Sequence, residues 1–183
     1  LKVKNIVFDS RKVTKGDMFI ALKGNNYDGH DYINRSILLG VKSIVCETLP
    51  SEIKKEIVYI KVNDSRSALG YISSNFYDNP SNHLKLIGVT GTNGKTTVST
   101  LLFDLFNNKK NKAGLISTVS IRYGHKQFKS EHTTPDPIKI NRHLRSMVEL
   151  DLEYCFLEVS SHGIDQKRIV GLNFTGGVFT NLT

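Results

Sequence analysis

At 183 residues the chain is long enough to bury a core, as one large domain or two small ones. With 39% hydrophobic and 23% charged residues it reads as a soluble globular protein, and no stretch approaches the roughly 18 apolar residues of a membrane span. The net charge of +8 raises nucleic acid as a partner. The lysines are scattered, however, the densest group being Lys109-Lys110 with Lys112, and no basic stripe interleaves with aromatics, so neither nucleic acid nor membrane is expected.

The start, Leu1-Lys2-Val3-Lys4, has no apolar core of a signal peptide, and beginning with Leu rather than Met it is expected to lack residues at that end. Asp17 to Ala21 predicts a strand, followed by the turn-rich Lys23-Gly24-Asn25-Asn26. His30, Ile33, Ile37 and Val41 recur at helical spacing, with Gly40 as a C-cap. Ser43 to Cys46 and Ile57 to Ile60 predict short buried strands. Ala68, Leu69, Ile72 and Phe76 share a helix face behind Asp64, a candidate N-cap. Asp78-Asn79-Pro80-Ser81-Asn82 is a cluster of turn formers, so a link between two domains, 1–82 and 83–183, is placed there.

The second block opens with a strand from Leu84 to Val89, a glycine-bearing loop, and a helix with Val98, Leu101, Leu102, Leu105 and Phe106 as its apolar face. A strand at Ala113 to Ser117 follows, then a hairpin around Gly124-His125. Ile140, Leu144, Met147 and Val148 mark another helix, Tyr154 to Val159 a strand, and Gly177 to Phe179 a last one. Strands alternating with helices predict an α/β fold, a small N-terminal α/β domain followed by a mostly parallel sheet. The chain stops just past a strand, so the second sheet is expected to be incomplete. Cys46 and Cys155 sit in apolar runs with no metal-ligand spacing and read as buried free thiols of a reducing, cytoplasmic compartment.

The sharpest chemical signal is Gly91-Thr92-Asn93-Gly94-Lys95-Thr96-Thr97, between strand and helix. A phosphate loop needs backbone N–H groups converging on one concavity, with glycine for close approach and a helix N-terminus behind it. Lys95 is placed to reach phosphate oxygens, and the Thr96 hydroxyl to ligate Mg²⁺. The longer phosphate-loop spacing wants glycine where Val89 stands, so the match is to a shorter G-x-x-G-K-T form. The bland alternative is a Gly-rich turn with an exposed lysine. Phosphoryl transfer also calls for a carboxylate near the metal. Glu158 ends an otherwise apolar strand, where a charge is costly unless paired. Alone it reads equally as a surface residue at a strand end; beside the loop, the metal-ligand reading is the better one.

Val89 to Thr97 resembles the ATP loop of the Mur ligases. Asp9-Ser10-Arg11-Lys12-Val13, Gly16 to Gly24 and Asp28-Gly29-His30-Asp31 look like an N-terminal domain of that family. Thr133-Thr134-Pro135-Asp136, and Glu158-Val159-Ser160-Ser161-His162-Gly163 running on to Gln166, Arg168 and the Val178–Thr183 end, are similar to its tripeptide-synthetase branch and unlike the MurF branch. The resemblance covers nearly the whole chain. It implies an ADP-forming ligase of peptidoglycan synthesis, using ATP and Mg²⁺ with UDP-N-acetylmuramoyl-L-alanyl-D-glutamate. The substrate carboxylate takes the γ-phosphoryl group, and an incoming amino acid amine displaces phosphate.

By resemblance, Gly91, Thr92, Asn93, Gly94, Lys95, Thr96 and Thr97 fall to ATP, Lys95 and Glu158 to catalysis, and Thr96 and Glu158 to Mg²⁺. Ser10 falls to the uridine part of the sugar nucleotide. Asn25, Asn26 and Tyr27 occupy the same uridine segment but depart from a common His-Gln-Ala form. Thr133, Thr134, Ser160, Gln166 and Arg168 fall to the muramoyl-dipeptide end, while His132 stands where an Asn is common. The Arg168 guanidinium suits an anionic pyrophosphate or carboxylate, which it can bind in a bidentate way, with a surface salt bridge as the bland alternative; without the resemblance, Ser10 and the threonines read as turn or cap residues. His162, following two serines, reads as structural and receives no proton-transfer role. The resemblance leaves open the added amino acid, diaminopimelate or lysine, and the oligomeric state. The family's second-metal support and amino-acid-binding domain lie beyond these motifs, so the 183 residues alone are expected to be inactive. A MurF-type ligase and a non-catalytic nucleotide-binding module are the alternatives.

Overall fold

The computed structural model describes residues 3–24, 27–107 and 112–183. The chain divides into two compact units, residues 1–69 and 70–183.

The first unit is a four-stranded, fully parallel sheet in the order β1-β2-β3-β4. Its strands are β1 (Ile6–Val7), β2 (Met18–Ile20), β3 (Ser43–Cys46) and β4 (Val58–Lys61). The predicted helix after the Lys23 turn splits into a 3-10 turn, Gly29–Tyr32, and a short α1 (Ile33–Leu38), closed by Gly40 at φ +94°. Phe19, Ala21, Ile33, Val41, Ile44 and Cys46 form the core. The expectation that both later strands are buried holds for β3 but not for β4, whose residues are mostly exposed. As the outer strand of the sheet it has a neighbour on one side only.

Helix α2 (Ser65–Phe76) starts where its N-cap predicts, since the Asp64 carboxylate accepts from the N–H groups of Arg66 and Ser67 at 3.0 and 3.3 Å. The boundary between the two compact units falls inside α2, between Leu69 and Gly70. Within the second unit, Gly70 lies so close to Val170 that a Cβ there would stand 2.5 Å from its carbonyl oxygen. That contact commits the rest of α2 to the unit that follows.

The second unit is a six-stranded sheet in the order β10-β5-β9-β6-β7-β8. It comprises β5 (Lys85–Thr90), β6 (Ala113–Ile116), β7 (Ser120–Tyr123), β8 (Lys126–Lys129), β9 (Tyr154–Glu158) and β10 (Gly176–Phe179). The first four in that order are parallel, and the β7–β8 hairpin adds antiparallel at one edge. Helices α3 (Lys95–Asn107), α4 (Pro137–Glu149) and α5 (Ser161–Asp165) complete it.

Side chains of a strand alternate between faces, and β9 obeys this. Cys155 and Leu157 join the α4 residues Ile140, Leu144 and Met147, whereas Phe156 joins Phe103 of α3. Glu158 shares the parity of Phe156 and therefore the α3 side. The apolar face predicted for α3 holds in part: Leu102 and Phe106 pack against the core, but its centre is Ser99 and Phe103, both buried, while Leu101 and Leu105 are 62% and 64% exposed. Ser99 and Phe103 are four apart and stack along one stripe, so the helix turns a serine toward Glu158 and a phenylalanine toward Phe156. Both cysteines are buried and free, as expected, and burial pushes the Cys155 thiol far up.

Candidate functional site

The loop after β5 is shaped by two glycines. Gly91 adopts φ +134°, and a Cβ on it would lie 2.1 Å from Thr180 Oγ1 and 2.9 Å from the backbone of Asn181. Gly94 is left-handed at φ +83°. The residues after β10 fasten the loop from the other side. Thr92 N donates to Asn181 O and Asn93 N to Asn181 Oδ1, both at 2.9 Å, and Thr180 Oγ1 donates to Asn93 O at 2.6 Å. Lys95 opens α3 and folds over the loop, its Nζ donating to Gly91 O and Thr92 O at 2.7 and 2.9 Å. Thr97 is exposed on the first turn of α3.

Glu158 ends β9 with a relative exposure of 0%. A buried carboxylate must be met by donors, and four meet this one. Thr96 Oγ1 donates to Oε2 at 3.1 Å and Thr118 Oγ1 to the same oxygen at 2.8 Å. Ser99 Oγ and Thr118 N donate to Oε1 at 3.3 and 3.2 Å. All four are neutral. The carboxylate thus keeps its place without a protein cation, beside the hydroxyl at the start of α3.

A second chain of contacts leaves the same residue. With its proton committed to Glu158, Thr118 Oγ1 accepts from the Thr133 hydroxyl, 3.1 Å away. Thr134, fully buried, donates its hydroxyl to Glu158 O at 2.9 Å and accepts from Ser160 N at 2.9 Å. Ser160 caps α5 by accepting from Gly163 N at 3.0 Å. A Cβ on Gly163 would stand 2.8 Å from Thr134 Cβ, which is why glycine occupies that helix. Arg168 donates from Nη1 to Thr134 O at 2.5 Å, and from Nε and Nη2 to Gln166 Oε1 at 3.0 and 2.7 Å. Its guanidinium thereby braces the Thr133–Thr134 loop. Gln166 Nε2 lies 2.8 Å from His162 Nε2.

Seven predicted residues, Thr96, Thr133, Thr134, Glu158, Ser160, Gln166 and Arg168, are thereby joined in one hydrogen-bonded network with the phosphate loop at its edge. Sequence reasoning missed Ser99, Thr118, Thr180 and Asn181. Ser99 had a signal, lying three residues after Thr96 on the same helix face. Thr118 follows a parallel strand at its carboxyl end, where ligand sites of such sheets gather.

The predicted uridine residues lie in the first unit. Ser10, buried, and Tyr27, 74% exposed, line one cavity of about 640 Å³ with Phe8, Leu22, Arg35 and Arg66. Ser10 begins a 3-10 turn capped by Asp9, whose carboxylate accepts from Arg11 N at 3.1 Å and Arg11 Nε at 2.9 Å. The Arg11 side chain beside it holds the Asp9 carboxyl below its ordinary value. Asn25 and Asn26 lie outside the described residues.

As to the metal, the donors of the second unit are the Glu158 carboxylate and the Thr96 hydroxyl, hard oxygens only. Among the described residues no group of three His, Cys, Asp or Glu side chains could hold an ion. Two protein oxygens suit Mg²⁺, which keeps several waters and phosphate oxygens in its shell; the residues fit that ion.

Strand, glycine loop and helix, with a buried carboxylate at the end of the adjacent parallel strand, define a phosphate-loop nucleotide-binding α/β protein. The family description "Mur ligase middle domain" matches residues 89–183, and "Mur ligase family, catalytic domain" matches residues 2–77. The chain belongs to the Mur ligase family. It is 52% identical over 182 residues to the UDP-N-acetylmuramoyl-L-alanyl-D-glutamate–2,6-diaminopimelate ligase of Cytophaga hutchinsonii, covering 99% of this chain and 37% of that protein. A solved structure of a ligase with the same descriptive name superposes with a TM-score of 0.83 at 26% identity, over 99% of this chain and 37% of that one. A MurF structure from Acinetobacter baumannii gives 0.58 at 26% identity, over 93% and 34%. The chain thus spans under two-fifths of the length of these proteins. Among the described residues, no helix is long and apolar enough to cross a membrane.

Proposed function

We propose that this chain is the sugar-nucleotide-binding and nucleotide-binding part of a cytoplasmic, ADP-forming ligase that adds the third amino acid, diaminopimelate or lysine, to UDP-N-acetylmuramoyl-L-alanyl-D-glutamate. One observation carries the reading: the network that runs from Thr96, at the phosphate loop, through Glu158 to Thr134, Ser160 and Arg168. It couples the residues assigned to ATP with those assigned to the muramoyl-dipeptide, as a transfer from one to the other requires.

The 1–82 segment takes the uridine part, through Ser10 and the Asn25–Tyr27 segment, and the 83–183 segment takes ATP. Gly91 to Thr97 cradle the phosphates. Lys95 swings from its two loop carbonyls to the β- and γ-phosphate oxygens. Thr96 and Glu158 would hold Mg²⁺, which supplies charge neutralisation between two anions that must meet. Thr133 presents its hydroxyl to the muramoyl-dipeptide, and the buried Thr134, with Ser160, Gln166 and Arg168, fixes the loop that carries it. The names of the similar proteins and the difference in TM-score support the third-residue ligase over the MurF type. The test is calorimetric titration of the chain with ADP at fixed Mg²⁺ and, separately, with UDP-N-acetylmuramoyl-dipeptide. Saturable binding of both is expected, and failure to bind either in a folded sample overturns the assignment of the corresponding segment.

A further inference from the structure

The turn between Lys23 and Asp28 carries Tyr27 to the wall of the Ser10 cavity. Lys23 and Asp28 form an antiparallel bridge, and Gly24 N donates to Tyr27 O at 3.0 Å. Both ends are tied to more distant parts of the same unit. At one end the Asp28 carboxylate accepts from His30 N at 2.9 Å and from the His30 ring at Nδ1, 2.5 Å away. Donation from Nδ1 leaves Nε2 as an acceptor, and Glu47 N donates to it at 2.9 Å. The Glu47 carboxylate accepts from Ser65 N and Ser65 Oγ at 2.9 and 2.7 Å, at the first turn of α2. The next residue, Arg66, donates from Nη2 to Lys23 O at 3.0 Å, the other end of the turn. The circuit closes on itself through Asp28, His30, Glu47, Ser65, Arg66 and Lys23.

None of these six side chains belongs to the apolar core of the unit. Two carboxyls in the circuit, Asp28 and Glu47, are held below their ordinary values, first by the backbone N–H groups of His30 and Ser65 respectively. The circuit therefore stays charged and bonded through the neutral pH range. It fixes the two residues, Lys23 and Asp28, between which Tyr27 stands.

We propose that Arg66 and His30 are positioning residues for the sugar nucleotide: by holding Lys23 and Asp28 they keep Tyr27 at the wall of the Ser10 cavity, where it meets the uracil-nucleoside end. This rests on the assignment of the uridine part to the Ser10 cavity. Apparent affinity scales with the fraction of molecules whose turn is already in place. Losing one hydrogen bond to the turn lowers that fraction about five-fold.

The experiment uses the 183-residue chain and its Arg66→Ala, Arg66→Lys and His30→Ala variants. Amide hydrogen exchange of the 23–28 stretch reports the turn, calorimetry with UDP reports affinity, and calorimetry with MgADP serves as control. In Arg66→Ala and His30→Ala, exchange of the stretch is expected to rise and UDP affinity to fall about five-fold or more, with MgADP affinity unchanged. Arg66→Lys, which keeps a donor, recovers part of both losses. Unchanged exchange in both alanine variants overturns the positioning role whatever UDP does. Faster exchange with wild-type UDP affinity overturns the link between turn and ligand while leaving the uridine assignment standing. Failure of the unsubstituted chain to bind UDP overturns the uridine assignment, and the inference with it.

Discussion

Glu158→Gln separates what the carboxylate does for the fold from what it does for a metal-bound nucleotide. The side chain is fully buried and takes four neutral donors, the shortest from Thr118 Oγ1 at 2.8 Å and Thr96 Oγ1 at 3.1 Å. An amide fills the same space but carries no charge. Hydrogen bonds to a charged acceptor are about twice as strong as neutral ones, so these two together weaken by about 2 kcal/mol. Against that, the amide escapes the cost of burying a charge, several kcal/mol when no cation compensates it. The two effects oppose, and the net change in folding stability is expected to stay within about 2 kcal/mol of zero. Metal binding has no such offset. Loss of even an outer-shell partner costs roughly 10–100-fold in metal affinity, and a direct oxygen ligand costs at least as much. Titrating ADP calorimetrically at several Mg²⁺ concentrations should show the variant weaker than wild type when Mg²⁺ is present and equal to it in EDTA. A variant with the same Mg²⁺ dependence as wild type would refute the assignment of Glu158 to the metal.

Lys95→Ala removes two bonds to loop carbonyls and leaves the core untouched, so the fold is expected to survive while ligation by the full-length parent falls on the order of 10³-fold; steady-state kinetics decides, and near-normal turnover would remove the loop from the ATP site. Gly91→Ala forces a methyl to within 2.1 Å of Thr180 Oγ1 at φ +134°, whereas at Gly94 the nearest atom would be 3.9 Å away. Urea denaturation should therefore find Gly91→Ala destabilised by about 2–4 kcal/mol and Gly94→Ala by about 1 kcal/mol; equal costs would contradict the latch between the loop and residues 180–181. His143, 9% exposed and hydrogen-bonded to Tyr123, has its pKa lowered to about 4, chiefly by burial and further by Arg142 and Lys139, with Asp136 opposing. Its folded value lies below the unfolded one of about 6.5, so its contribution is complete above pH 6.5 and is lost as pH falls toward 4, up to about 3 kcal/mol. Thermal midpoints between pH 7.5 and 4.5 should drop in wild type and less in His143→Gln.

The strand–loop–helix around Lys95, the hairpin at Gly124, the N-cap at Asp64 and the mostly parallel second sheet were all legible, because each is written in local periodicity or turn chemistry. Glu158 was legible for a different reason, being a charge at the end of an apolar run. What escaped depends on pairing across the chain. Strand β1 has two residues, too few for any alternation to show. The exposure of β4 follows from its place at the sheet edge, which only the strand order fixes. Of the apolar stripe of α3, Leu102 and Phe106 face the core but Leu101 and Leu105 do not, because Glu158 and Phe156 select the side that carries Ser99 and Phe103. Hydroxyl residues such as Ser99 and Thr118 look like any turn or helix serine until the carboxylate they serve is in place. The Arg66–Lys23 and Asn93–Asn181 bonds close over 43 and 88 positions, beyond the reach of a sequence window.

The strand order explains why these particular loops meet. From β5 the chain passes to β6, returns through α4 to insert β9 between them, and only then places β10 on the far side of β5. The connection after β5 thus runs to one side in the sheet order and that after β9 to the other, which opens a crevice at the carboxyl ends of these two strands. The register Val89↔Glu158 sets the carboxylate beside the last turn of β5, and Phe179↔Thr90 brings Thr180 and Asn181 against the glycine loop from the other flank. Each flank does different work. The β9 side supplies a buried carboxylate met by the hydroxyls of Thr96, Ser99 and Thr118 and, among the described residues, by no lysine or arginine. The β10 side supplies backbone restraint, since Asn181 takes the N–H groups of Thr92 and Asn93 and leaves the loop one shape. A phosphate loop needs both, a preformed concavity and an adjacent negative charge. In this chain the same crossover that makes the sheet provides them.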